Sequence, residues 1–126
     1  MQVGDELPEL AVTPGPYTTV VYAGASGDFN PIHIDEDFAR AVGLPGRILH
    51  GLWTMAQVAR AQTEAAGGPE KLARLAVQFR QPGVMGEEIT IESTVSAVRD
   101  DVIVVDTQAV QDGKAIIRNA QADLRA

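Results

Sequence analysis

The sequence predicts a single α+β domain over residues 1–126, with a long helix laid against an antiparallel sheet. Three observations carry this. His50 to Ala66 places Leu52, Met55, Ala56 and Ala59 at helical spacing and stops at Gly67-Gly68-Pro69. After the helix the apolar period changes to two and holds through four runs. Those runs are separated by short turn signals, with no linker, repeat or low-complexity segment.

Taken in order, Leu7 to Val12 is a short apolar stretch ended by Pro14-Gly15-Pro16, and reads as an opening strand. Thr18 to Ser26 mixes β-branched residues with Tyr22-Ala23-Gly24-Ala25. It reads as a short helix closing near Gly27, because an abrupt stop must follow. Pro31 makes that stop, since the residue before a proline is pushed out of the helical region. Asp35 to Val42 reads as a further short helix. Asp35 suits its N-cap, acids fill its first turn and Gly43 follows its end. The first half of the long helix is almost uncharged, which predicts a buried helix widened on its apolar face by Trp53. Ala73, Leu75, Val77 and Phe79 then share one face of a strand. Ile89, Ile91, Val95 and Ala97 share that of a second. Ile103, Val105 and Ala109 belong to a third, and Ile116, Ala120, Ala122 and Leu124 to a fourth. The connections are Pro82-Gly83 with Gly86, Asp100-Asp101, and Asp112-Gly113, the last a strong two-residue hairpin signal. Four consecutive strands so joined suggest a meander with one apolar and one polar face.

Composition narrows the function. The absence of cysteine removes disulfides, thiolate zinc sites and cysteine nucleophiles. The net charge is −7, and the ten basic residues are scattered singly, which argues against nucleic-acid binding. No apolar run approaches a membrane span, and the first residues carry no signal-peptide pattern, so the expected location is cytoplasmic.

The chemistry concentrates in Asp28, Asn30 and His33, within six residues. Each alone has an ordinary reading: Gly27-Asp28 as turn chemistry, Asn30-Pro31 as a turn starter, His33 as a satisfied polar group. Together, a carboxylate and an imidazole brought to one point across a proline turn can grip a water by two hydrogen bonds and exchange its protons. Phe29 and Ile32, lying between them, are expected to draw the turn inward. A serine triad through Ser26 has little support. His33, Asp35 and Asp37 offer metal-ligand atoms, but the helix-capping role accounts for both acids.

Gly27-Asp28-Phe29-Asn30-Pro31-Ile32-His33 resembles the Gly-Asp-x-Asn-Pro-aliphatic-His signature of the MaoC-like dehydratases and R-specific enoyl-CoA hydratases. Ile48-Leu49-His50-Gly51-Leu52 is similar to that family's approach to its central helix. Phe79 to Glu87 resembles its Phe-x-x-Pro-Val-x-x-Gly-Asp strand and turn, and Val3-Gly4-Asp5 also agrees. The resemblance covers nearly the whole chain and implies a hot-dog fold, a long helix wrapped by an antiparallel sheet. It implies reversible hydration of trans-2-enoyl thioesters to R-3-hydroxyacyl thioesters, with Asp28 as general base and His33 orienting the water and relaying the α-carbon proton. Gly51, at the helix start, is the expected oxyanion donor through its backbone N–H. Its alternative role is helix packing. Asn30 is expected to fix the turn or hydrogen-bond nearby, as one of the substrate-binding residues with Trp53, Arg47 and Arg80. Trp53 either shapes the acyl pocket or packs the core. The two arginines either meet carrier phosphates or stay solvated. His50 is expected to cap or support. The family's serine on the second helical turn is replaced by Ala56, with Thr54 the closest hydroxyl.

The implied ligand is an acyl-CoA or acyl-carrier-protein thioester, with no cofactor or metal, handled by a homodimer or a heterodimer with another hot-dog subunit. Two other readings share the fold: a subunit, catalytic or not, of a heteromeric dehydratase, and an acyl-thioesterase.

Overall fold

The computed structural model describes residues 1–126 and has the expected α+β content. Strand β1 (Leu10–Val12) precedes three short helices, α1 (Thr18–Ser26), α2 (Pro31–Ile34) and α3 (Glu36–Ala41). The long helix α4 (Gly51–Ala66) follows. A 3₁₀ turn at Pro69–Lys71 then leads into β2 (Leu72–Phe79), β3 (Ile89–Arg99), β4 (Val102–Gln111) and β5 (Lys114–Arg125).

The five strands make one antiparallel sheet in the order β1-β3-β4-β5-β2, and α4 packs against one of its faces. The expected four-strand meander is thereby corrected. β3, β4 and β5 do form one, but β2 lies beyond β5, paired to it from Leu72↔Leu124 to Phe79↔Ile117. The reason lies in residues 80–88, which form a crossing loop and not a hairpin. Pro82 has no N–H to give a ladder. Val84 pairs instead with Ile48 in an isolated bridge, and Gly86 adopts a left-handed turn at φ 85°. The other two turns are tight. Asp112 (φ 52°) and Gly113 (φ 69°) both take the left-handed conformation that a two-residue hairpin requires.

The opening strand is shorter than expected. The chain runs alongside β3 from Glu6, which bridges Thr94, but regular pairing starts only at Leu10. Pro8, lacking a donor, interrupts the ladder between them. Helix α1 matches its expected limits and closes on Gly27 at φ 78°. Helix α3 is capped as expected, the Phe38 N–H donating to Asp35 Oδ1 at 3.0 Å.

The main core joins Val58 and Ala61 of α4 to Ile89, Ile91, Ala109, Ile116, Ile117 and Ala120 of the sheet. Burial of each Val or Ile is worth about 1.5–3 kcal/mol. A second cluster, Leu7, Val95, Val105, Ala122 and Leu124, lies against the C-terminal turn of α4 at Ala65 and Ala66. Between helix and sheet sits a polar pin that the sequence did not announce. Gln62, fully buried, donates through Nε2 to Ser93 Oγ (3.0 Å) and Thr107 Oγ1 (2.9 Å), and the two hydroxyls bond each other.

Two sequence expectations about α4 change. Its buried residues are Thr54, Val58, Ala61 and Gln62, not the Leu52–Met55–Ala56–Ala59 stripe, and the helix is half-buried. Leu52 is 63% exposed. Small or apolar residues surround the first half of the helix, so periodicity alone did not select the face that the sheet covers.

The crossing loop is held by one side chain. Gln111, buried at the end of β4, accepts from the Val84 N–H (2.8 Å) and donates to the carbonyls of Val84 (2.8 Å) and Glu87 (3.0 Å). Gln111→Leu keeps the bulk and leaves three part-buried backbone groups without this partner. A loss of about 2 kcal/mol is expected, read from the urea midpoint. A variant as stable as the parent would show that the loop is held by other contacts.

Candidate active site

The site begins where α1 stops. Three alternate side chains each accept a backbone N–H two residues on: Ser26 Oγ from Asp28 (3.1 Å), Asp28 Oδ1 from Asn30 (3.2 Å), and Asn30 Oδ1 from Ile32 (3.2 Å). These local turns replace helix hydrogen bonds and reverse the chain within a few residues. Asn30 is extended at φ −53°, ψ 127°, as the following proline demands, and caps α2 with Pro31 as its first residue. The expectation that Phe29 would pull the turn inward is overturned. Phe29 is 59% exposed, and the turn is held by its own hydrogen bonds and by a bond between the Asp28 carbonyl and the His50 ring.

His33 lies one helical turn further and is buried. Its Nδ1 sits 2.8 Å from the Ile48 carbonyl. A carbonyl only accepts, so Nδ1 carries the hydrogen and the neutral ring presents Nε2 as a lone pair. That Nε2 faces Asp28 Oδ2 at 3.8 Å. The gap exceeds a direct hydrogen bond and suits a water bonded to both atoms at about 2.8 Å. Asp28 Oδ1 is already engaged with Asn30, so Oδ2 is the oxygen left for that water.

Gly51 opens α4, and the N–H of a first helical residue has no partner within the helix. It lines a cavity of about 310 Å³ together with His33, Thr54, Phe79, Arg80 and Pro82. The Phe79 ring lies so close that a Cβ on Gly51 would meet it at 3.0 Å. Thr54 is buried and brings a hydroxyl to this cavity, whereas Ala56, the position aligned with the family serine, is exposed. Trp53 lies outside this cavity: half-buried, it packs against the main core, as one of its two expected roles has it, and also lines an apolar groove of about 420 Å³ with Tyr17, Val21 and Tyr22. A broader depression of about 700 Å³ on the sheet, lined by Glu92, Asp106 and Arg118 among others, contains none of these groups.

Of the two arginines, Arg80 reaches the cavity. Arg47 does not line it. Its Nη2 donates to the Pro16 carbonyl at 3.1 Å, and its Nε lies 3.6 Å from Glu36 Oε2. Glu36 in turn accepts from the Arg47 backbone N–H and from Arg40, which hold its carboxyl below the usual carboxylate range, the backbone N–H foremost. Asn30 likewise caps α2 and lines none of these cavities.

His50, the N-cap of α4, stacks on His33 with ring centroids 3.8 Å apart and an interplanar angle of 21°. One ligand atom each from Asp28, His33 and His50 falls within 4.8 Å of the others. The set does not suit a metal ion. Imidazole lone pairs lie in the ring plane, and with the rings stacked an ion in line with one nitrogen lies well out of the plane of the other. The sequence offered no signal for this stack, or for the Ile48 carbonyl that fixes the His33 tautomer, because both are contacts between segments far apart in the chain.

A family model described as "MaoC like domain" matches residues 3–117. The chain belongs to this family and has its hot-dog fold. The mouse peroxisomal multifunctional enzyme type 2 is 36% identical over 101 residues, which are 79% of this chain and 13% of that protein. A chain of the ChsH1-ChsH2 complex from Mycobacterium tuberculosis is 28% identical, covers 98% of this chain and 97% of its own length, and superposes with a TM-score of 0.89. The (R)-hydratase from A. caviae involved in PHA biosynthesis matches with a TM-score of 0.89 at 23% identity, covering 99% of this chain and 96% of that one, a likeness of fold alone. The chain spans between 5% and 17% of the length of four curated relatives.

Proposed function

We propose that this protein reversibly hydrates trans-2-enoyl thioesters to R-3-hydroxyacyl thioesters. The carrying observation is the 3.8 Å gap between the lone pair of His33 Nε2 and Asp28 Oδ2, beside a helix N-terminus whose first N–H is unpaired. Water held between the pair attacks C3 as Asp28 accepts its proton. The C2=C3 π electrons move toward the thioester, and the developing enolate oxygen accepts from the Gly51 N–H. His33 orients the water, and the proton taken by Asp28 is relayed through the Nε2 lone pair of His33 to C2, which completes the addition of H and OH. Protons are shared across so close a pair, so the two groups act as a unit. The Thr54 hydroxyl is a further polar contact in the same cavity, and Arg80 is the better placed of the two arginines for a carrier phosphate. The apolar groove at Trp53 suits an acyl chain.

Two features support assembly with a second hot-dog copy. β2 is an open sheet edge, and Leu52, Ala56 and Phe79 leave apolar surface uncovered beside the site. Either an identical or a distinct hot-dog subunit fits that requirement. No helix is long and apolar enough to cross a membrane. A cytoplasmic location remains our reading of the composition.

Crotonyl-CoA tests the reaction, with enoyl absorbance and free thiol followed separately. Loss of absorbance without thiol is expected. Thiol release without hydration would identify a thioesterase instead.

A further inference from the structure

His50 is nearly inaccessible, at 2% exposure, yet its ring meets both His33 and the backbone of Asp28. Its Nε2 lies 3.0 Å from the backbone carbonyl of Asp28. Since the carbonyl only accepts, Nε2 carries the hydrogen, and the Nδ1 that remains is buried without any partner. One face of the ring stacks on His33, and Tyr22 tilts against it with centroids 4.8 Å apart. The next residue is Gly51. Neither ring nitrogen can exchange a proton with substrate, because one is bonded to Asp28 and the other is enclosed.

We infer that His50 is a positioning residue that locks the Asp28 turn to the start of α4, and so fixes the spacing between the water-holding pair and the Gly51 N–H. Three contacts of one short segment do this. The Ile48 carbonyl sets the rotation of the His33 ring, the Ile48 N–H holds the Ile32 carbonyl, and the His50 Nε2–H holds the Asp28 backbone. Downstream the turn is tied to the same segment by the Ile48 N–H, which donates to the Ile32 carbonyl at 3.1 Å, but before Pro31 it has no other bond to a distant segment. Its internal bonds all run between near neighbours, and Phe29 is not buried. A buried polar side chain left with one orphaned atom is tolerated where its other bond performs such a task. Catalysis through a bridged water and a separate oxyanion donor is sensitive to displacements near 1 Å, which can cost about 100-fold in rate.

The inference rests on the proposed hydration for its kinetic reading and on the protein alone for its structural one, so the test has both arms. His50→Phe keeps a flat ring for the stack and removes the donor. His50→Gln removes the ring and keeps an N–H at the reach of Nε2. With crotonyl-CoA, His50→Phe is expected to lose about 10- to 100-fold in kcat with KM within about twofold, and His50→Gln to recover most of that loss. Without substrate, the backbone amide signals of Asp28, Phe29 and Asn30 are expected to shift and exchange faster in His50→Phe and to return toward the parent in His50→Gln. If His50→Phe does not fold, His50→Asn replaces it, since the shorter amide falls short of the Asp28 carbonyl. Parent-like kcat and amide signals in the donor-less variant overturn the inference. So does a folded His50→Gln as impaired as His50→Phe. If the parent hydrates no enoyl thioester, the proposed function fails, and the amide signals still decide the role of His50.

Discussion

Asp28→Asn is expected to reduce hydration by about 10²- to 10⁴-fold in kcat, with the fold intact. The substitution keeps an oxygen where Oδ1 accepts the Asn30 N–H, so the turn survives, and it removes the base that takes the proton of the attacking water. His33→Gln is expected to fall as far, because it deletes the Nε2 lone pair 3.8 Å from Asp28 Oδ2. The double variant should be little worse than either single one, since a bridged water needs both partners. Thermal unfolding within a few degrees of the parent checks that the losses are chemical. Full activity in both single variants would remove the pair from the mechanism.

Gly51→Pro addresses the oxyanion donor in isolation. Proline suits the first position of a helix, and His50 already sits at φ −65°, ψ 133°, a conformation allowed before proline. The backbone is therefore preserved while the N–H is lost. Both proline and alanine bring a Cβ against the Phe79 ring, which is 54% exposed and free to yield. Gly51→Ala thus measures the steric part, expected to be a few-fold. Gly51→Pro is expected to lose a further 10²- to 10³-fold in kcat, about 3–4 kcal/mol of transition-state stabilisation. Equal losses in the two variants would mean that this N–H does not meet the developing charge.

The legibility of this protein was uneven for physical reasons. Helix limits followed from local chemistry. Gly27 closing α1, Asn30 extended before Pro31 and Asp35 as a cap all act on neighbours a few residues away, and each is found where expected, whereas the short helix α2 that Pro31 begins was not foreseen. The hairpin at Asp112-Gly113 belongs to the same class. The position of β2 did not follow, because a proline-glycine loop between two strands specifies only that no tight turn forms. Its destination beside β5 is set by pairing over some forty residues of sequence, as in Gln78↔Arg118. The covered face of α4 was misjudged where small residues surround the helix and leave the choice to the sheet.

The sequence by itself determined the class of the domain and gathered the residues of the proposed site, since a carboxylate, an asparagine, a proline and a histidine in that order dictate a tight polar turn. Only the tertiary structure decided how they are used. The tautomer of His33 depends on a carbonyl 15 residues away, and the backbone of Asp28 on an imidazole 22 residues away. Arg47 is drawn off to Pro16 and Glu36, while Arg80 comes to the cavity. Such choices belong to contacts between distant segments, whose geometry is fixed only when the sheet closes on the helix.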